Sequence, residues 1–258
     1  MKSYKKINSS LLALACGDSY GSYFERDGLY GVTFDINKLP DVPVEPMITD
    51  DTKMANILLK HYEANKKILP TELLKIYRRW AITDGQKDGI GIHTYHVLVK
   101  DQKDKDSQGN GALMRIIPFG LQLITDGYSF EDAIVMMNNE SALTHKNETI
   151  FMANRLSLDL AINGLSILNK SIYKNILAEI HLGDTAWVIH SLYIVIEALK
   201  ANLSFLEGFK YIVAYGGDTD TNCAIYGAIK GYKEDISKEL LIPSFLPKMI
   251  EKSLKSQE

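Results

Sequence analysis

Gly216-Gly217-Asp218-Thr219-Asp220-Thr221-Asn222-Cys223-Ala224, running on to Gly227 and Gly231, is the stretch around which the chain must be arranged. Paired glycines permit a tight backbone turn, two aspartates one residue apart present carboxylates, and the small residues that follow open a closely packing helix. Alternating carboxylate and hydroxyl oxygens suit a hard cation such as Mg²⁺, which takes oxygen ligands and retains waters that a substrate can displace. A second acidic cluster is therefore expected. Thr49-Asp50-Asp51-Thr52 supplies it at the start of another helical pattern, and two such clusters invite a two-metal reading. The simpler alternative is that each Asp caps a helix, as adjacent Asp and Thr residues often do. Capping uses one side chain per helix, so doubled carboxylates at both places leave oxygens unaccounted for.

Three further motifs lie between and before these. Gly17-Asp18-Ser19-Tyr20-Gly21 precedes Glu25, Gly109-Asn110-Gly111-Ala112-Leu113-Met114-Arg115 leads to Pro118, and Thr144-His145 follows. Together with the two acidic clusters, and in this order, they resemble the ADP-ribosylglycohydrolase family over nearly the whole chain. Ser19-Tyr20 departs from the small aliphatic residues usual in that family's first motif.

The resemblance implies an all-α fold, a single compact orthogonal multi-helix domain over residues 1–258 with a binuclear metal cleft. Two Mg²⁺ ions, with Mn²⁺ as a substitute, would be held by Thr49, Asp50, Asp51, Asp218, Asp220 and Thr221. Gly91, Ser107, Gly109, Asn110 and Gly111 would cradle the diphosphate and ribose of ADP-ribose, and His145 would line that region. The implied reaction is removal of ADP-ribose from an acceptor, a protein side chain such as arginine or serine or a small conjugate, by cleavage at C1″. Glu25 is the first candidate for general base and Asp51 the second. The alternative from a different class is a catalytically silent ADP-ribose-binding or toxin-neutralising immunity protein on the same fold.

Composition is compatible with this. The chain has 258 residues, a net charge of −3 and 46% hydrophobic residues, enough for a sizeable core. No basic stripe marks a nucleic-acid footprint, and no apolar run approaches the roughly 20 residues of a membrane span. The apolar stretch after the basic N-terminus is short and leads into Gly17-Asp18 without a cleavage site of the secretory kind, so a cytoplasmic protein is expected; a monomeric enzyme is the accompanying expectation. Cys16 and Cys223 flank the first and last motifs in small-residue contexts and read as buried structural thiols that bring those motifs together.

In chain order, Leu11, Leu12, Leu14 and Ala15 form an apolar stripe that delivers Asp18 to the end of a first helix. Residues 28–46 hold three prolines and read as an irregular lid or rim. Met54, Ile57, Leu58 and Tyr62 mark a helix, as do Leu73, Ile76, Tyr77 and Trp80 after Pro70. His93 and His96 are read as packing or surface histidines. The glycine turn at 109–111 opens a helical pattern over 112–117, so its N–H groups are expected to face an anion. Ser129 and Ser204 fit capping-box spacing, and Ile172 to Ile180 marks a further helix. Residues 186–199, apolar on most faces, read as a buried central helix, and Ala224, Gly227, Ala228 and Gly231 as a close-packing stripe. The strand signal is confined to 32–34, and the tail from Glu251 reads as the fraying end of a terminal helix.

Overall fold

A computed structural model describes residues 2–234 apart from 27, 28, 30 and 103, together with 236 and 240. The tail expected to fray lies outside these residues. Among them the fold is helical: α1 (Lys2–Gly21), α2 (Asp50–Asn65), α3 (Pro70–Thr83), α4 (Ile92–Lys100), α5 (Leu113–Thr125), α6 (Phe130–Ser141), α7 (Glu148–Asn163), α8 (Lys174–Glu179), α9 (Val188–Lys200), α10 (Phe205–Tyr215) and α11 (Thr219–Lys233). No described helix is long and apolar enough to cross a membrane.

The glycine stripe explains the centre of the fold. α1 and α11 run antiparallel with their backbones touching: a Cβ on Gly227 would stand 2.2 Å from the carbonyl oxygen of Ala13, and one on Gly17 would stand 2.2 Å from that of Cys223. Such separations exclude any side chain, so glycine is required by proximity at both places. Ser10 seals the contact by donating from Oγ to the Ala228 carbonyl at 2.7 Å. Both cysteines are buried and unbridged, one on each helix of this pair. α11 also packs on α5, α7, α9 and α10, which leaves it surrounded on every side and buries its residues from Thr219 to Gly231.

Capping fixes where several helices begin. Ser204 and Glu207 form a complete capping box on α10, whereas Ser129 accepts from the Asp132 N–H and donates to that residue's carboxylate on α6. Pro70 occupies the first turn of α3, where no N–H is needed. The apolar pattern over 186–199 becomes α9, but two residues late. Ala186 and Trp187 instead pair with the glycine turn, the Asn110 N–H donating to the Ala186 carbonyl at 2.9 Å and the Val188 N–H to that of Gln108 at 3.0 Å.

The strand signal over 32–34 does not become a strand. Its backbone is tied instead to the end of α10, the Phe34 N–H donating to the Ala214 carbonyl at 3.2 Å. A second point of the rim is tied down by Tyr20, whose buried ring stacks on Phe209 and whose hydroxyl donates to the Pro40 carbonyl at 2.7 Å. The departure at Tyr20 thus anchors the rim segment to α1.

Candidate active site

The N-termini of α2 and α11 converge, and their N-cap residues do not cap them; within α11 the Thr221 N–H donates to Asp220 Oδ1 at 2.6 Å. Thr49 and Asp218 occupy the N-cap positions without a side-chain cap bond. Two carboxylates from the α1 region do the work instead. Asp18 accepts from the N–H groups of Thr49 and Thr52, and its oxygens lie 2.8 Å from Thr49 Oγ1 and 2.5 Å from Thr52 Oγ1. Glu25, in the 3-10 turn Ser22–Glu25, accepts from the Asp220 N–H at 2.8 Å and from Thr219 Oγ1 at 3.3 Å. With this capping supplied from outside, Asp50, Asp51 and Asp218 spend no oxygen on the first-turn N–H groups of α2 or α11, and Asp220 spends only its Oδ1, on the Thr221 N–H. The positive ends of two helix dipoles face the space between the helices and favour negative charge there.

Six carboxylates meet here. One oxygen each from Asp18, Asp51 and Asp220 lies within 4.8 Å of the others, and so does one each from Glu25, Asp218 and Asp220; Asp220 belongs to both groups. Asp50 stands beside them, held by the Gly91 N–H at 3.3 Å. Oδ2 of Asp51 lies within hydrogen-bond reach of the Thr49 and Thr221 hydroxyls, while its Oδ1 is buried without a partner among the described residues. Asn110 donates from Nδ2 to Asp218 and is in reach of Ser191 Oγ, both at 2.9 Å. The turn that aims Asp218 needs glycine for conformation: Gly216 and Gly217 have φ of +77° and +80°.

Among the described residues no lysine or arginine forms an ion pair with any of the six. The electrostatic consequence is large. Burial, opposed by the Thr52 and Thr49 hydrogen bonds, pushes Asp18 up to about 6. Burial and then the Asp220 charge push Asp218 up to about 7. Burial and then Asp220 hold Asp50, Asp51 and Glu25 well above the carboxylate range, and Asp220 is raised by burial too. A buried oxygen without a donor amid uncompensated acids is what a cation-binding donor set looks like, and the all-oxygen chemistry fits Mg²⁺ or Mn²⁺.

One N–H of the glycine turn, whose N–H groups were expected to face an anion, is turned to the protein instead. The Asn110 N–H is taken by Ala186, and its side chain is taken by Asp218 and Ser191. Gly91 likewise turns its N–H to Asp50. His145 lies buried under the turn, where a Cβ on Gly109 would stand 3.5 Å from its Nε2 and one on Gly111 3.4 Å. His93 packs on it with ring centroids 4.6 Å apart. Ser107 lines a surface groove of about 470 Å³ with His93, His96 and Gln102. Sequence reasoning did not assign Asp18, Thr52, Thr219 or Ser191 to the site. Asp18 carried a signal, since it sits in the first glycine motif, but its partners 31 and 34 residues away could not be read from spacing.

Comparison with known proteins agrees with this architecture. Residues 1–244 match the profile of the family described as ADP-ribosylglycohydrolase. The chain is 22% identical over 289 aligned positions to L543 of Acanthamoeba polyphaga mimivirus, whose name places it among ADP-ribosyl glycohydrolases; the alignment covers 88% of this chain and 86% of that protein. A solved structure titled as an ADP-ribosylglycohydrolase-related protein complex superposes with a TM-score of 0.73 at 20% identity, covering 98% of this chain and 97% of that one, and so shares the fold. With the profile matched along nearly its full length, this chain belongs to the ADP-ribosylglycohydrolase family of glycosidic-bond hydrolases.

Proposed function

We propose that the protein is a Mg²⁺-dependent hydrolase that releases ADP-ribose from a modified protein side chain, arginine or serine, by cleaving at C1″. The observation that carries the reading is the six-carboxylate cluster with a partnerless buried Asp51 Oδ1 and no basic counter-charge among the described residues. Thr49, Asp50, Asp51, Asp218, Asp220 and Thr221 would hold two divalent ions, which when bound supply Lewis-acid polarisation of ribose and water oxygens. Asp18 is occupied by Thr49 and Thr52 and so fixes the start of α2 beside the proposed ligands.

The residues then divide the remaining tasks. Glu25 is the least buried of the six acids and accepts the Asp220 N–H; it acts as general base in the cation-loaded site, where bound ions would offset the burial and the neighbouring acid charges that hold its proton in their absence. Asp51, almost fully buried and surrounded by hydroxyls, suits a ligand better than a base. Gly109 and Gly111 let a diphosphate approach the backbone beside His145, with Ser107 at the edge; Asn110 and Gly91 contribute by aiming Asp218 and Asp50. Release of ADP-ribose from arginine-linked and serine-linked peptides, followed by mass spectrometry with Mg²⁺ and with EDTA, tests the proposal. Undiminished release in EDTA, or none from either substrate with Mg²⁺, would refute it.

A further inference from the structure

Arg115 is fully buried and does not touch the acidic cluster. Its guanidinium donates from Nε to Glu140 Oε1 at 3.0 Å, from Nη1 to the Gly111 carbonyl and from Nη2 to Thr144 Oγ1 at 2.8 Å. Tyr77 completes the anchor by donating to the same Glu140 oxygen at 2.8 Å. A guanidinium has no acceptor, so toward Arg115 the Thr144 hydroxyl can only accept. Its own proton must then go elsewhere. Among the described residues the other partner of Oγ1 is Nδ1 of His145, 2.9 Å away.

We propose that Arg115 is a positioning residue: by making Thr144 accept on one side, it makes Thr144 donate to Nδ1 on the other and fixes His145 as the Nε2–H tautomer. The opposite tautomer would put two donors on Thr144 and leave a buried hydroxyl proton without an acceptor, a desolvation loss that the observed arrangement avoids. Burial, and then the Arg115 charge, also keeps the ring neutral. His93 cannot take over the role, because its Nε2 must donate to the Thr144 carbonyl at 2.9 Å. Nε2 of His145 has no partner among the described residues and faces Gly109 and Gly111, where a Cβ at 111 would stand 3.1 Å from the ring. The ring therefore presents a neutral N–H donor to an anionic oxygen bound at the turn, whereas the other tautomer would present a lone pair to it. This ligand assignment rests on the reading of the turn as a diphosphate cradle, but the tautomer itself does not.

Long-range ¹H–¹⁵N spectra of the ¹⁵N-histidine-labelled protein report the tautomer directly. The expected wild-type spectrum shows His145 Nδ1 in the range of an unprotonated ring nitrogen and Nε2 in that of a protonated one; the reverse overturns the inference. Thr144→Val should bring the Nδ1–H form into the spectrum, and Thr144→Ser should restore the wild-type pattern. An unchanged tautomer in a folded Thr144→Val protein would remove Thr144, and with it Arg115, from the mechanism. The wild-type spectrum decides even where the valine variant fails to fold. Calorimetry with ADP-ribose should show binding weakened about tenfold or more in Thr144→Val, the scale of one hydrogen bond to a charged group, and recovered in Thr144→Ser. If ADP-ribose fails to bind the wild type while the Nε2–H form is observed, the ligand reading falls and the tautomer assignment stands.

Discussion

Glu25 and Asp220 are joined by a 2.8 Å hydrogen bond from the backbone N–H of the second to the carboxylate of the first, although 195 residues separate them. The bond caps α11 and puts the Glu25 carboxyl, the proposed base, next to the shared member of both acidic groups. Glu25→Gln retains the shape and can still accept the bond through its amide oxygen, but it cannot take a proton. The expected result is turnover lowered by about 10²-fold or more, the usual scale for a positioned base, with ADP-ribose affinity little changed. Wild-type turnover in Glu25→Gln, together with an inactive Asp51→Asn that keeps its cations, would move the base to Asp51.

Asp18 supplies the matching cap on α2. Its short contact with Thr52 Oγ1 orients a buried carboxylate that touches no basic group among the described residues. Thr52→Val keeps the volume and removes the hydroxyl, so the protein should lose about 1.5–3 kcal/mol in denaturant titration, as for a hydrogen bond to a charged group. A loss below about 0.5 kcal/mol, the level of an uninvolved surface substitution, would show that the backbone N–H donors alone hold Asp18.

How far the sequence reveals this site depends on what each residue contacts. The acidic pairs, the glycine turn and the helical periods are local patterns, and they carry the all-helical fold and the acidic cluster. The close α1–α11 contact was legible in Gly227 and Gly231 because only glycine tolerates a backbone at that distance. Partners were not legible. That Asp18 and Glu25 cap other helices, that Asn110 turns to Asp218, and that Ala186 takes the Asn110 N–H are all long-range hydrogen bonds, and no spacing rule encodes them. The strand signal at 32–34 shows the same limit from the other side: apolar β-branched residues suit an extended backbone, but the partner here is a helix end.

The α1–α11 contact leaves no room for a side chain at Gly227 or Gly17. Gly227→Ala should destabilise by about 3 kcal/mol or more, at or beyond the upper range for overpacking, because the added Cβ meets backbone that cannot rotate away. Gly127, with nothing within 4 Å of an added Cβ but a φ of +94°, is the control: Gly127→Ala is strained yet free of overlap and should cost less. Chemical denaturation of both variants checks the order, and an equal loss would mean that the helices separate easily.

The last expectation concerns pH in the cation-free protein. Asp18 and Asp218 are raised to about 6 and about 7 from the ordinary value of 3.8, so the folded chain holds these protons more tightly than the unfolded chain does. Their contribution to stability is present below about pH 4 and is lost as pH rises through about 6 and 7, since the unfolded chain ionises first. Other acids act oppositely: Asp159 is lowered by Lys170 and Tyr173 and favours the fold at higher pH, so absolute melting curves mix the two effects. The difference between wild type and Asp218→Asn isolates the site. In EDTA, Asp218→Asn should gain stability relative to wild type as pH rises from about 4 to about 7, because it has no proton to lose. In Mg²⁺ the order should reverse, because the wild type now binds an ion that the variant holds poorly, and binding to the folded state alone raises its midpoint. Thermal melts of the two proteins across this range, with and without Mg²⁺, measure both effects. A difference that is independent of pH and of Mg²⁺ would mean that Asp218 neither titrates as assigned nor holds a cation.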